Sequence, residues 1–142
     1  MVNNSVTVGV GALFYSKQTK RYLFLLRNGV KHNGHWGLVG GKVEATETPI
    51  QALSREITEE IGTVAYNKVI PLEHFTSDNL NFEYHTYIIS VSNEFVPMLN
   101  HEHRGYAWTR IEDHPKPLHP GVWRTFNFQS VLTKIKTLEN IL

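Results

Sequence analysis

The chain has 142 residues, 41% apolar and 19% charged, with no repeat or low-complexity tract, so a single domain over residues 1–142 with one substantial core is expected. Fourteen Lys and Arg against thirteen Asp and Glu give a net charge of +1, which provides no global pull toward nucleic acid or membrane and leaves any phosphate recognition to local groups. Cysteine is absent, excluding disulfides and thiolate metal sites, and no apolar run is long enough to span a bilayer.

Met1-Val2-Asn3-Asn4-Ser5 lacks the basic and apolar regions of a signal peptide, which makes a cytoplasmic location the expectation. From Ser5 to Tyr15, Val6, Val8, Val10, Ala12 and Phe14 alternate, predicting a half-buried strand. Ser16 to Lys20 is a polar turn, and the continuous apolar run Tyr22-Leu23-Phe24-Leu25-Leu26 suits a second strand covered on both faces, so the two read as a hairpin ending at Arg27. A loop from Asn28 to Asn33 leads into Gly34-His35-Trp36-Gly37-Leu38, where Trp36 can either stack on a nucleobase or cap the core. Gly40-Gly41 then suits a tight backbone turn.

Thr48 to Gly62 reads as a helix with both ends specified. Thr48 is an N-cap, Pro49 stands at N1, Gln51 completes a capping box, and Gly62 is a natural stop. Ile50, Leu53, Ile57 and Ile61 form an apolar stripe, and Glu56, Glu59 and Glu60 a separate acidic face. Carboxylates about 6 Å apart repel by roughly 3 kcal/mol per pair at an effective dielectric near 20. Splaying into water relieves this, and so does a hard divalent cation, for which all-oxygen ligands suit Mg²⁺ or Mn²⁺.

Val64 to Thr76 and Asn81 to Val91 read as two further strands joined around Ser77-Asp78-Asn79-Leu80, with Pro71 arguing for an edge or a break. A polar loop from Asn93 to Arg104 precedes a short strand at Gly105-Tyr106-Ala107-Trp108. Pro115, Pro117 and Pro120 mark an irregular connector, and Trp123 to Leu142 a single closing helix. None of the eight histidines forms a helical i, i+4 pair, and a histidine zinc site would require a convergence that the sequence does not display. No Gly-x-Ser-x-Gly elbow supports a serine nucleophile.

Gly41, five residues, Glu47, seven residues, then Arg55-Glu56-Ile57-Thr58-Glu59-Glu60-Ile61-Gly62 resembles the signature of the Nudix (MutT-like) hydrolases. Every fixed identity of that signature is present; the departures, Thr63 at the final apolar position, Val39 for a frequent Pro and Thr46 for a frequent Gly, leave the acids intact. The resemblance implies an α/β (α+β) Nudix fold, a mixed sheet between helices, and hydrolysis of a nucleoside diphosphate linked to another moiety. It implies Mg²⁺, with Mn²⁺ as substitute, held by Glu56, Glu59, Glu60 and the Gly41 carbonyl, with Glu44 as an additional ligand. Arg55 would orient the glutamates and Glu47 support Arg55. Glu102, ahead of Trp108, Glu112-Asp113 and Pro115, would be a catalytic base or further ligand, and Arg27 and Lys42 would contact phosphates.

The subfamily marks for ADP-ribose and dinucleoside polyphosphates are missing near Ser77-Asp78-Asn79-Leu80. By elimination the expected substrate is a small-molecule (d)NTP, split to monophosphate and pyrophosphate. ADP-ribose or nucleotide sugars, a 5′-triphosphorylated RNA end approached over Lys31, His32, Lys42 and Arg124, and a non-catalytic nucleotide sensor are the alternatives. No stable nucleic-acid partner is expected, and oligomeric state, a homodimer included, stays open.

Overall fold

A computed structural model describes residues 6–29 and 31–142; Met1-Val2-Asn3-Asn4-Ser5 and the leader reading made on it lie outside them. The expected hairpin forms from β1 (Thr7–Ser16) and β2 (Arg21–Arg27), but the two strands pair only at Tyr15–Tyr22 and Ser16–Arg21. The first half of β1 instead pairs with β4 (Val39–Lys42), while β2 pairs with β3 (Trp36–Gly37) and β7 (His103–Thr109). On the other side of β1 runs β6 (Phe82–Val91), parallel to it over their whole length, and β5 (Lys68–Thr76) closes that edge antiparallel to β6. The sheet is therefore mixed.

Alternation along the central strands feeds two cores. Val10, Ala12 and Phe14 of β1 and Ile89 of β6 face α1 (Pro49–Ile61), meeting its Ala52, Leu53, Ile57 and Ile61. Leu13, Tyr15 and Ile88 face the opposite way, toward Val122 and Phe126 of α2 (Pro120–Phe126) and Ile135 and Leu138 of α3 (Gln129–Ile141). Helices on both faces bury β1 from Gly9 to Ser16, so the half-buried expectation is corrected: the strand is central, and its alternation separates two cores rather than core from solvent.

Four further expectations change. The closing helix is two helices: Asn127 returns its backbone N–H to the carbonyls of Trp123 and Arg124, its side-chain amide donates to Trp123 at 2.6 Å, and Phe128 is extended. Pro120 opens α2 instead of ending a connector, because its missing N–H costs nothing at N1. The strand expected from Val64 begins only at Lys68. Gly40-Gly41 form no turn; they lie in β4, where a Cβ on Gly40 would come within 2.1 Å of the Val10 carbonyl oxygen.

Candidate functional site

The site is built on α1, and its ends are fixed locally as the sequence indicates. Thr48 Oγ1 accepts from the Gln51 N–H at 3.2 Å, the Gln51 side chain accepts from the Thr48 N–H at 2.9 Å, and Gly62 ends the helix at a φ of 88°. The acidic face, in contrast, divides. At about 100° per residue, Ala52, Leu53, Glu56, Ile57, Glu60 and Ile61 span a buried sector of roughly 180° with Glu60 near its middle, while Glu59 falls just outside. Glu56 and Glu60 are accordingly buried, and Glu59 keeps 54% of its side chain exposed. Ile50, placed on the apolar stripe by spacing, is 49% exposed because the buried run begins only at Ala52.

Glu102 comes up to the buried pair from the loop before β7. Its N–H donates to Asn100 Oδ1 at 3.0 Å, and the Asn100 amide donates to the Glu59 carbonyl at 2.9 Å, tying that loop to α1. Carboxylate oxygens of Glu56, Glu60 and Glu102 lie within 4.8 Å of one another. Glu60 accepts from the Gly40 N–H at 3.3 Å, and Glu56 lies so close to Gly41 that a Cβ there would sit 2.5 Å from its carboxyl carbon. Glycine at 41 thus lets the carboxylate rest against bare backbone.

Arg55 spreads across the rim. Its Nε and Nη2 donate to both oxygens of Glu47 at 2.7 and 2.8 Å, Nη1 donates to Glu56 at 2.8 Å, and Nη2 donates to the Lys42 carbonyl at 3.0 Å. Such a fork-to-fork pair fixes direction as well as charge. It holds the Glu47 carboxyl down to about 2. Glu59 is 3.4 Å from Arg55 Nη1; Glu44, 66% exposed, comes only to 4.0 Å from Nη2 and stays outside the carboxylate cluster.

The arrangement fits a hard divalent cation. Burial, a hydrogen bond with Glu56 and the charges of Glu56 and Glu102 push the Glu60 carboxyl far above the usual range, because carboxylates this close and this dry cannot all ionise alone. Beside them His103 is buried with both ring nitrogens lacking a protein hydrogen bond, its Nδ1 4.0 Å from Glu60. Burial and the charge of Arg27 hold that imidazole down to about 4, so it is neutral at ordinary pH. All-oxygen donors with excess negative charge are the ligand set of Mg²⁺ or Mn²⁺.

Gly41 also lines a cleft of about 240 Å³, shared with Arg27, Lys42, Gly37, Tyr84 and His119. Tyr84 lies across Gly9 and Gly11, where a Cβ would strike its ring, and burial with the charge of Glu60 raises its hydroxyl pKa. Tyr84 and His119 continue into a smaller apolar slot, about 110 Å³, walled by Leu38, Phe75, Phe82 and Val122. A larger hollow of about 570 Å³ between Glu112 and Lys136 lies apart from the carboxylates. Trp36 is partly buried against the α2–α3 core, so the structure places it as packing and leaves it out of the cleft lining.

Sequence reasoning missed Asn100, Tyr84, His103 and His119. Glycines at 9 and 11 did signal a close approach, without naming Tyr84 as the group; His119 N-caps α2 through Nδ1, which accepts from the Gly121 N–H at 3.0 Å, a role histidine seldom takes.

A mixed sheet between helices, with this acid-bearing helix beside a cleft, defines a Nudix-type domain. The chain belongs to the MutT-like Nudix hydrolase family: the family model for the NUDIX domain matches residues 6–128. Over 51 residues it is 53% identical to an 8-oxo-dGTP diphosphatase of Haemophilus influenzae; the match covers 36% of this chain and 33%, about a third, of that relative. Among solved structures, a MutT NUDIX hydrolase from Burkholderia pseudomallei superposes with a TM-score of 0.68 at 26% identity, over 90% of this chain and 97% of that one. An Ap4A hydrolase of C. elegans shares the fold, with a TM-score of 0.68 at 20% identity over 94% and 99% of the two chains.

Proposed function

We propose that the protein is a Mg²⁺-dependent pyrophosphohydrolase that splits a (d)NTP into the monophosphate and pyrophosphate, acting in the cytoplasm. The observation that carries this reading is the Glu56–Glu60–Glu102 cluster against Gly41, at the wall of a cleft that also holds Arg27 and Lys42. A bound cation would neutralise phosphate charge, polarise the bridging oxygen and acidify the attacking water. Glu56, Glu59, Glu60 and the Gly41 carbonyl are the proposed ligand set; Glu44 would join only after moving toward the cluster. Arg55, braced by Glu47, holds Glu56 in place. Water adds to phosphorus, a P–O–P bond breaks, and a carboxylate, Glu102 or one of the helix acids, takes the water's proton.

Arg27 and Lys42 supply positive charge for the phosphates, and the adjoining apolar slot suits the flat face of a base. The relative named as an 8-oxo-dGTP diphosphatase makes oxidised and normal purine dNTPs the first substrates to try. A hydrolysis screen with Mg²⁺ over dNTPs, NTPs, 8-oxo-dGTP, ADP-ribose, nucleotide sugars and dinucleoside polyphosphates tests the proposal. Cleavage of a triphosphate, lost by orders of magnitude in Glu59→Gln and Glu56→Gln with the fold retained, is the expected result. Near-normal turnover in both variants would sink it.

A further inference from the structure

We infer that His74, Glu83 and His85 form a second metal site, for a transition ion such as Zn²⁺, on the sheet face opposite the apolar slot. His74 on β5 and His85 on β6 are direct cross-strand partners, their rings stacked 4.2 Å apart with 13° between planes. Glu83, two residues along β6, projects from the same face, its Oε1 3.7 Å from His74 Nε2. One ligand atom from each of the three lies within 4.8 Å of the others. Donors around a tetrahedral Zn²⁺ stand ~3.4 Å apart for bonds of 2.0–2.2 Å, so the set closes once one imidazole turns out of the stack and both in-plane lone pairs meet at one point.

The register that makes this possible comes from a bulge. Pairing shifts by one residue between Pro71 and Glu73; without the extra residue His74 would stand opposite Tyr84 and project from the other face. The shift sends His74 to join His85 and sends Phe75 to join Tyr84 in the slot wall. Among the described residues neither ring makes a protein hydrogen bond within 3.5 Å, so both are free to ligate, and the partial exposure of all three residues leaves a position for water. Two imidazoles and one carboxylate select Zn²⁺, Ni²⁺ or Cu²⁺ over Mg²⁺, which sets this site apart from the all-carboxylate cluster under α1. A bound ion would cross-link β5 to β6 directly behind Phe75 and Tyr84, bracing the slot wall.

The test is calorimetric titration of chelator-stripped protein with Zn²⁺ in saturating Mg²⁺, with the His74→Gln/His85→Gln and Glu56→Gln/Glu60→Gln double variants alongside. The wild type should take up one Zn²⁺ with micromolar or tighter affinity. The histidine variant should bind weaker by more than about 100-fold, since even outer-shell partners are worth 10–100-fold, while the glutamate variant keeps the site. Free Zn²⁺ at about 100 times Kd should raise the wild-type Tm by roughly 5–10 °C. Circular dichroism checks folding, and Co²⁺ substitution with ¹⁵N shifts of the two imidazoles locates the ion independently of both variants. Zn²⁺ uptake unchanged in the histidine variant, imidazole resonances that ignore the metal, or no saturable uptake by the wild type would each overturn the proposal.

Discussion

The two faces of the sheet are covered by helices that spend their buried surface differently. On one face α2 and α3 bury apolar side chains almost exclusively, Val122, Phe126, Val131, Ile135 and Leu138, with Thr125 the exception. On the other, α1 gives two of its six buried positions to carboxylates, one near the middle of the buried sector. Burying a carboxylate beside another costs stability unless a proton or a cation compensates. The contrast separates a face built for stability from a face that gives up stability to hold charge, and each half of that statement can be broken by experiment.

The largest effect is expected on the charged face. Glu60→Gln removes one charge from the cluster while keeping its shape, so turnover should fall by orders of magnitude, reflecting the several kcal/mol of charge stabilisation a bound cation provides. Metal-free stability should move the other way. The Glu60 carboxyl is raised far above 4.5 in the folded protein, so it binds its proton more tightly folded than unfolded. Its contribution is therefore fully present below that value and is lost as pH rises toward the raised pKa. Thermal melts in chelator should show wild type losing stability relative to Glu60→Gln between about pH 5 and pH 9, and Mg²⁺ should restore it by binding the ionised cluster. A variant less stable than wild type at high pH without metal would mean that the carboxylates are solvated and the contrast is false.

The apolar face offers the complementary test. Ile135 is fully buried among Leu13, Tyr22 and Ile88 in the α2–α3 core. Ile135→Ala should cost about 2–5 kcal/mol of unfolding free energy, from lost transfer energy plus the cavity left behind. Cation affinity should not change, since the sheet lies between this core and the carboxylates. Denaturant unfolding with parallel Mg²⁺ titration checks both, and a variant with altered cation affinity would join the two faces into one functional unit.

Local signals were legible and register was not. The capping box, Pro49 at N1 and Gly62 at the helix end act within a few residues, and the structure follows them closely. Pro71 argued for an edge or a break for the same reason, and β5 is an edge strand whose register shifts just after it. Helical spacing orders residues around an axis without saying which sector meets the sheet; the sector holding Glu56 and Glu60 is the one that lies against Gly40 and Gly41 of β4. Glu102 joined them through Asn100, a contact spanning 41 residues to Glu59. The meeting of His74 with His85 depends on one extra residue in β5, which no periodicity in that strand announces.

The smallest effect sharpens the comparison at the point where α1 begins. Thr48→Ala removes the hydroxyl that accepts from the Gln51 N–H, in a partly solvated first turn, and should cost about 1 kcal/mol of stability. Glu47 is the next residue back, and its paired hydrogen bonds with Arg55 brace Glu56. If the fork-to-fork pair is held by its own geometry, turnover in Thr48→Ala should stay near wild type while Tm drops a few degrees. Glu47→Ala provides the reference, since it removes the brace itself and should lower turnover far more than it lowers Tm. A Thr48→Ala variant that loses turnover in step with Glu47→Ala would show that the cap carries the brace, making the helix start part of the charged site and not only part of the scaffold.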